Sequence, residues 1–277
     1  MKWLFATLIL ALIHAPARGA DFMYDEEVVA EAAGQDKPRK TVRRIHVQGR
    51  LQRVDRRIEA TGELARALQK RGESLDSATI LRLDTGQVYE LDNEAQTYVQ
   101  QQLPPARPAA KPIVEDPNAP VISFQVQELP DSTRLHGKRC RRVAAELRAR
   151  YYEPGTRKFR KENRYLYMAW VTDDVAGYDE IRKFKDEQAR KTSYSSLLGG
   201  GVEQLRGVVD DVDELAQELE ALKGFPMEST LSVYTGPQDK KKQKKIFKLT
   251  RTVTHLTYPP PLYQRFQPAR EFQKLEQ

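Results

Sequence analysis

Along most of the chain apolar residues recur at every second position, the period of a strand with one face buried. In residues 41–54 apolar residues recur at Ile45, Val47, Leu51 and Val54, with Gly49 interrupting. This stretch predicts either two pairing strands or one strand bent at a bulge. Residues 78–83 and 87–91 flank Asp84, Thr85 and Gly86, a turn with glycine where a positive φ is wanted, and predict a hairpin. Residues 96–101 predict another strand. Further on, Ile122, Phe124 and Val126 alternate with Ser123, Gln125 and Gln127, and Val143, Ala145, Leu147, Ala149 and Tyr151 are opposed by Arg148 and Arg150. These are strands with one wet face. Residues 165–171 differ, because Leu166, Met168 and Trp170 on one side are matched by Tyr167, Ala169 and Val171 on the other. That pattern predicts the most buried strand of the sheet.

The period then changes. Tyr178, Ile181 and Phe184 are spaced by three after Asp173 and Asp174, either of which can cap a helix running to about Arg190. Val202, Leu205, Val209, Val212, Leu215, Leu219 and Leu222 follow at helical spacing, and Gly224 and Pro226 end the run. This second stripe covers one face of the sheet or meets a partner helix. Two last strands are predicted at 229–234 and 246–258. Residues 21–40 mix acids, Ala, Gly34 and Pro38 without clear strand periodicity and predict a mobile lead-in or a poorly anchored helix. Residues 103–120 hold six prolines, too many missing N–H donors for a central strand, and predict a linker or long surface loop. After Pro259, Pro260 and Pro261 the predicted tail, 259–277, is irregular. The expected class is α+β, a single domain over 41–258 of eight or nine mostly antiparallel strands with two helices before the last hairpin.

The first residues place this domain. Met1 and Lys2 precede an uncharged apolar run over 3–13 that stops at His14 and Pro16, too short to span a bilayer and of the length of a secretory signal peptide. Ala15 to Ala17, Ala17 to Gly19 and the Gly19–Ala20 junction are competing peptidase sites, with cleavage expected near Ala20. No cysteine lies near this boundary to carry a lipid. Removing residues 1–20 takes Lys2 and Arg18 and no acid, so the formal charge falls from +7 to +5. An exported basic chain is expected to meet anionic lipid headgroups or acidic envelope partners rather than nucleic acid. The single cysteine, Cys140, excludes an internal disulfide and favours a bacterial periplasm as the destination.

Catalytic patterns are scarce. Beyond the leader the histidines are His46, His136 and His255, and no zinc-peptidase, serine-hydrolase or dinucleotide-binding signature occurs. His136 and Cys140 are four residues apart, but Gly137 between them argues for a loop, and a zinc site wants four ligands. No metal or cofactor is expected. Gly199, Gly200 and Gly201 precede the second helix as a flexible hinge, without the lysine of a phosphate-binding loop. Lys240, Lys241, Lys242, Lys244 and Lys245 form the densest charge run. It reads as a solvated hairpin tip, or as a contact for an anionic membrane surface.

Several segments together resemble a family of bacterial periplasmic domains, domain of unknown function 4412, with the open half-barrel fold of the lipoprotein carrier LolA. The segments are Thr79 to Asp84, Gln87 to Asp92 and Thr97-Tyr98, similar to paired strands ending in a tyrosine. To these are added Leu135 to Cys140, with its glycine before a cysteine, and Met168-Ala169-Trp170 followed by Gly177 to Glu180. The resemblance spans roughly 41–258, and the proline segment departs from it. It implies a curved, mostly antiparallel sheet with helices packed on the concave face, where an acyl chain can be held. Leu166, Met168, Trp170, Tyr178, Ile181 and Phe184 are the expected ligand-binding residues, since they supply apolar side chains where the sheet meets its first helix. The expected function is a periplasmic carrier or binding protein for a hydrophobic, lipid-like ligand. The alternative is an envelope protein-interaction module using the 202–222 stripe or an edge strand. An enzyme has no supporting constellation.

Overall fold

In the computed structural model the described residues are 21–34, 37–103, 120–153, 155–156, 158–191, 219 and 222–276. Residues 1–20, where a signal peptide is expected, most of the proline segment, the three glycines and nearly all of the 202–222 stripe lie outside them. Among the described residues twelve strands form one curved, open sheet. In chain order they are β1 (Phe22–Ala32), β2 (Arg39–Gln48), β3 (Leu51–Glu59), β4 (Asp76–Arg82), β5 (Gln87–Asp92) and β6 (Thr97–Gln102). Then come β7 (Val121–Leu135), β8 (Lys138–Tyr152), β9 (Phe159–Thr172), β10 (Phe225–Gly236), β11 (Lys244–Thr257) and β12 (Gln273–Lys274). Helix α1 (Glu63–Lys70) joins β3 to β4, and α2 (Tyr178–Lys191) follows β9. The spatial order is β12-β6-β5-β4-β3-β2-β1-β11-β10-β9-β8-β7. Every pairing is antiparallel except β12 on β6, which is parallel. Strands that follow one another in the chain pair within each half, and the β1–β11 pairing joins the two halves.

The 41–54 stretch resolves into two strands, β2 and β3, turning at Gly49, whose φ of 54° suits glycine. The β4–β5 hairpin turns at Gly86 as expected. Two expectations are corrected. Residues 21–40 hold no mobile lead-in over 22–32, which is a strand near the middle of the sheet, paired to β2 and β11. Phe22, Tyr24, Glu26, Val28 and Ala30 alternate inward and are all buried, but the inward Glu26 breaks the apolar pattern that would have revealed them. The tail is not irregular either. A short 3-10 turn at Tyr263–Phe266 buries Phe266 to 2% exposure, and β12 then adds to the sheet edge.

The two faces are covered differently. One buries Val28, Ala30, Leu147, Tyr165, Tyr167, Leu231, Val233, Phe247 and Leu249, with Leu219 seated among them. A second cluster gathers Phe22, Tyr24, Ile45, Val47, Leu81, Leu83 and Val253 with Ile181 and Phe184 of α2. The third, Leu51, Ala78, Ile80, Leu91 and Phe266, lies on the other side of β3 and β4, one position out of step with Gln52 and Leu81. The tail closes that side. Arg265 Nη1 is 3.2 Å from His46 Nε2, and burial, helped by this guanidinium, pushes the imidazole down to about 4.

Charge is buried within the apolar face. Glu26, 1% exposed, accepts from Arg43 Nη1 at 2.7 Å and from Arg251 Nε, and Arg251 Nη1 donates to the Pro226 carbonyl at 2.8 Å. The Arg251 guanidinium also lies against the rings of Tyr24 and Phe225. Burial pushes the Glu26 carboxyl up, but the guanidiniums of Arg251 and Arg43 outweigh it and hold the group below the usual carboxylate range. Burial, with Glu26 nearby, pushes the Tyr24 hydroxyl up to about 12. Because the folded Glu26 value is depressed, its contribution to stability is present above the unfolded carboxylate value and is lost as pH falls through the lower folded one. Glu26→Ala leaves Arg251 buried without its partner and should destabilise by about 3–5 kcal/mol. Urea denaturation at neutral pH checks this, and a loss under about 1 kcal/mol would show the pair to be dispensable.

Candidate functional site

Strand β9 supplies half of the expected ligand-binding residues, and its alternation decides where they point. Tyr165, Tyr167, Ala169 and Val171 are buried, so the period of two turns Leu166, Met168 and Trp170 to the opposite face, where they are half-buried. All but one of the paired neighbours there are polar. Leu166 pairs with Glu146 and Ser232, Met168 with Ala144 and Thr230, and Trp170 with Arg142 and Glu228. The Arg142 guanidinium stands 5.5 Å from the centre of the Trp170 ring. The strand expected to be the most buried thus has one fully buried side, Tyr165 to Val171, and one half-buried side, where charged side chains such as Arg142 lie over it.

Helix α2 supplies the other three. A turn at Gly177, φ 75°, leads from the buried Val175 into the helix. Ile181 and Phe184 are 1% and 2% exposed and pack in the cluster of Phe22, Tyr24, Ile45 and Phe225. Arg50, in the β2–β3 turn, donates through Nε to Glu187 Oε2 at 3.1 Å and ties the helix to that half of the sheet. Tyr178 is half-buried, its hydroxyl donating to the Gly224 carbonyl at 2.8 Å, and burial pushes its ionisation up.

The six residues do not line one described cavity. Trp170 and Tyr178 both pack against the cluster that holds Ile181 and Phe184, so four meet, whereas Leu166 and Met168 lie farther along β9 in none of the buried clusters. A cleft of about 500 Å³ opens beside the start of α2, lined by Asp173, Val175, Gly177, Tyr178, Asp179, Glu180, Arg182, Lys223 and Gly224. Only Tyr178 of the six reaches it, and five of its nine lining residues are charged. Ile181 and Phe184 belong to the packed interior instead.

The lysine run sits where expected, at the β10–β11 hairpin tip. Lys240–Lys242 form a 3-10 turn whose capping residue, Asp239, accepts from the Lys241 N–H at 3.0 Å, and Lys244 and Lys245 open β11. All five are exposed. Lys240 Nζ lies 3.8 Å from Glu146 and Lys242 Nζ 3.9 Å from Asp239. His136 and Cys140 do not share a helical face. His136 has a φ of 50° in the β7–β8 turn, and Cys140 is a buried thiol whose ionisation burial pushes up. Among the described residues no group of three or more metal-ligating side chains occurs.

Sequence reasoning missed the Glu26, Arg43 and Arg251 network. The signal was the parity of Glu26 with Phe22, Tyr24, Val28 and Ala30, and of Arg251 with Phe247, Leu249 and Val253. In β1 the consecutive acids Asp25, Glu26 and Glu27 hide that parity.

No protein-family model and no curated protein matches the chain, so the resemblance to domain of unknown function 4412 finds no support there. Among solved structures, the chain is similar to an outer membrane lipoprotein-sorting protein domain from Vibrio parahaemolyticus. That match has 8% identity, covers 89% of this chain and 88% of that one, and has a TM-score of 0.26. A DUF1329 family protein from Desulfovibrio piger is similar at 7% identity, over 91% of this chain and 90% of that one, with a TM-score of 0.17. At such TM-scores neither likeness carries an argument about this chain.

The burial difference within the six residues is measurable. Phe184→Ala, at a fully packed position, should destabilise by about 3–5 kcal/mol. Trp170→Ala, at a half-open one, should cost on the order of 1–2 kcal/mol, less than truncating a fully buried aromatic. Denaturant midpoints of the two variants test this, and a Trp170→Ala loss equal to that of Phe184→Ala would contradict the placement.

Proposed function

We propose that the chain is an exported periplasmic carrier or binding protein for a hydrophobic, acyl-chain ligand, non-enzymatic and of LolA-like half-barrel form, with helices on the concave face. The observation that carries this reading is the open sheet with one extended apolar face. Among the described residues that face is covered by Ile181 and Phe184 of α2 and by Leu219, rather than by a second sheet. A helix laid on an unclosed sheet is a cover that can be displaced, and an acyl chain replaces its apolar contacts in kind. Trp170 and Tyr178 stand at the margin of the cluster and mark the entry. The apolar run over 3–13 after Lys2 supports export. The five exposed lysines of the hairpin tip suit an anionic membrane surface, from which such a ligand would come. A second reading, an envelope protein-interaction module, is favoured by the exposed apolar residues of the edge strand β7.

The test is to recover the protein from the periplasm of a Gram-negative host and titrate it with a fluorescent fatty acid. Saturable uptake is expected, weakened by Phe184→Trp, which overfills the seam between α2 and the sheet. Binding to anionic vesicles should fall with added salt and on replacing the five lysines by glutamine. No uptake by the unmutated protein, and no apolar adduct in native mass spectrometry, would reject the carrier reading.

A further inference from the structure

The two edges of the sheet are treated differently. At one, the tail lays β12 along β6, and Leu275 N–H donates to the Tyr98 carbonyl at 2.8 Å. The other edge is β7, fifteen residues long, which among the described residues pairs only with β8. An edge of that length normally carries charge, proline or a bulge that stops a further strand from adding. Strand β7 has all three, but only in its second half, with Glu128, Pro130, Asp131 and a bulge between Leu129 and Ser132. Residues 121–127, Val-Ile-Ser-Phe-Gln-Val-Gln, contain no charge, proline or glycine.

This unguarded half is apolar on the side that continues the core. Ile122, Phe124 and Val126 pair with Ala149, Leu147 and Ala145, which are buried, so they share that face. Phe124 packs against the cluster, while Ile122 is 37% and Val126 48% exposed. The apolar face thus runs out to the sheet edge.

We propose that residues 121–127 are a self-association edge, at which a second copy of this chain adds antiparallel about a two-fold axis at Phe124. The sequence is self-complementary in that register. Ile122 faces Val126 of the second copy and Phe124 faces Phe124, so apolar meets apolar along one face. On the other, Ser123 meets Gln125 and Val121 meets Gln127, and no charge opposes a like charge. The pairing is isologous and closes at two copies. Glu128 to Asp131 set its limit, and strand addition supplies the main-chain hydrogen bonds.

The test uses the full chain after export, followed by sedimentation across a concentration series. The unmutated protein should sediment at twice the mass of one chain. Val126→Lys and Ile122→Glu, at exposed positions, should each sediment as folded monomers with an unchanged melting temperature. Mixed together they should regain the doubled mass, because the register places the new lysine opposite the new glutamate. A monomeric unmutated protein, a dimer that survives both substitutions, or variants that stay monomeric on mixing would each overturn the proposal.

Discussion

The fold turns on a single buried carboxylate. Glu26 lies in the apolar face of the strand that joins the two halves of the sheet, and it is tolerable there because Arg43 from one neighbouring strand and Arg251 from the other both reach it. A slip of β1 by one residue against either neighbour would turn Glu26 to the opposite face and leave the Arg251 guanidinium buried among aromatic rings without its carboxylate. The network therefore fixes register across three strands, and the Arg251 bond to the Pro226 carbonyl extends the constraint to β10. An apolar residue in place of Glu26 could match its burial but not its demand for one alignment.

The remaining architecture follows from a sheet that stays open and is apolar on parts of both sides. One side receives Ile181, Phe184 and Leu219, and the other receives Phe266 from the tail. The tail also dresses one edge through β12, while the unguarded half of β7 stays open at the other. A helix on one face and a strap on the second remove apolar surface from water, whereas the uncapped edge leaves Ile122 and Val126 exposed. They make the α2 seam and the β7 edge the natural places for a ligand and a second chain.

Most of the fold was legible in the chain because its strands obey the period of two. The β4–β5 hairpin was announced by Gly86, and α2 by the spacing of Tyr178, Ile181 and Phe184. Strand β1 was hidden because Asp25, Glu26 and Glu27 make its sequence acidic, although only Glu26 of the three is buried. The tail was hidden because three prolines precede one well-buried phenylalanine. The site was half legible. Apolar residues at 166, 168 and 170 were correctly placed on one strand face, but which face the interior takes depends on partners in β8 and β10 that no local pattern names.

Hydrogen exchange along β1 tests the central claim most directly. If Glu26 locks this strand between β2 and β11, the amides of residues 23–31 exchange among the slowest in the protein, at rates governed by global unfolding, and Glu26→Ala raises them together with those of the paired strands. Rapid exchange of these amides in the unmutated protein, with the rest of the sheet protected, would show a loosely attached leader and contradict the account.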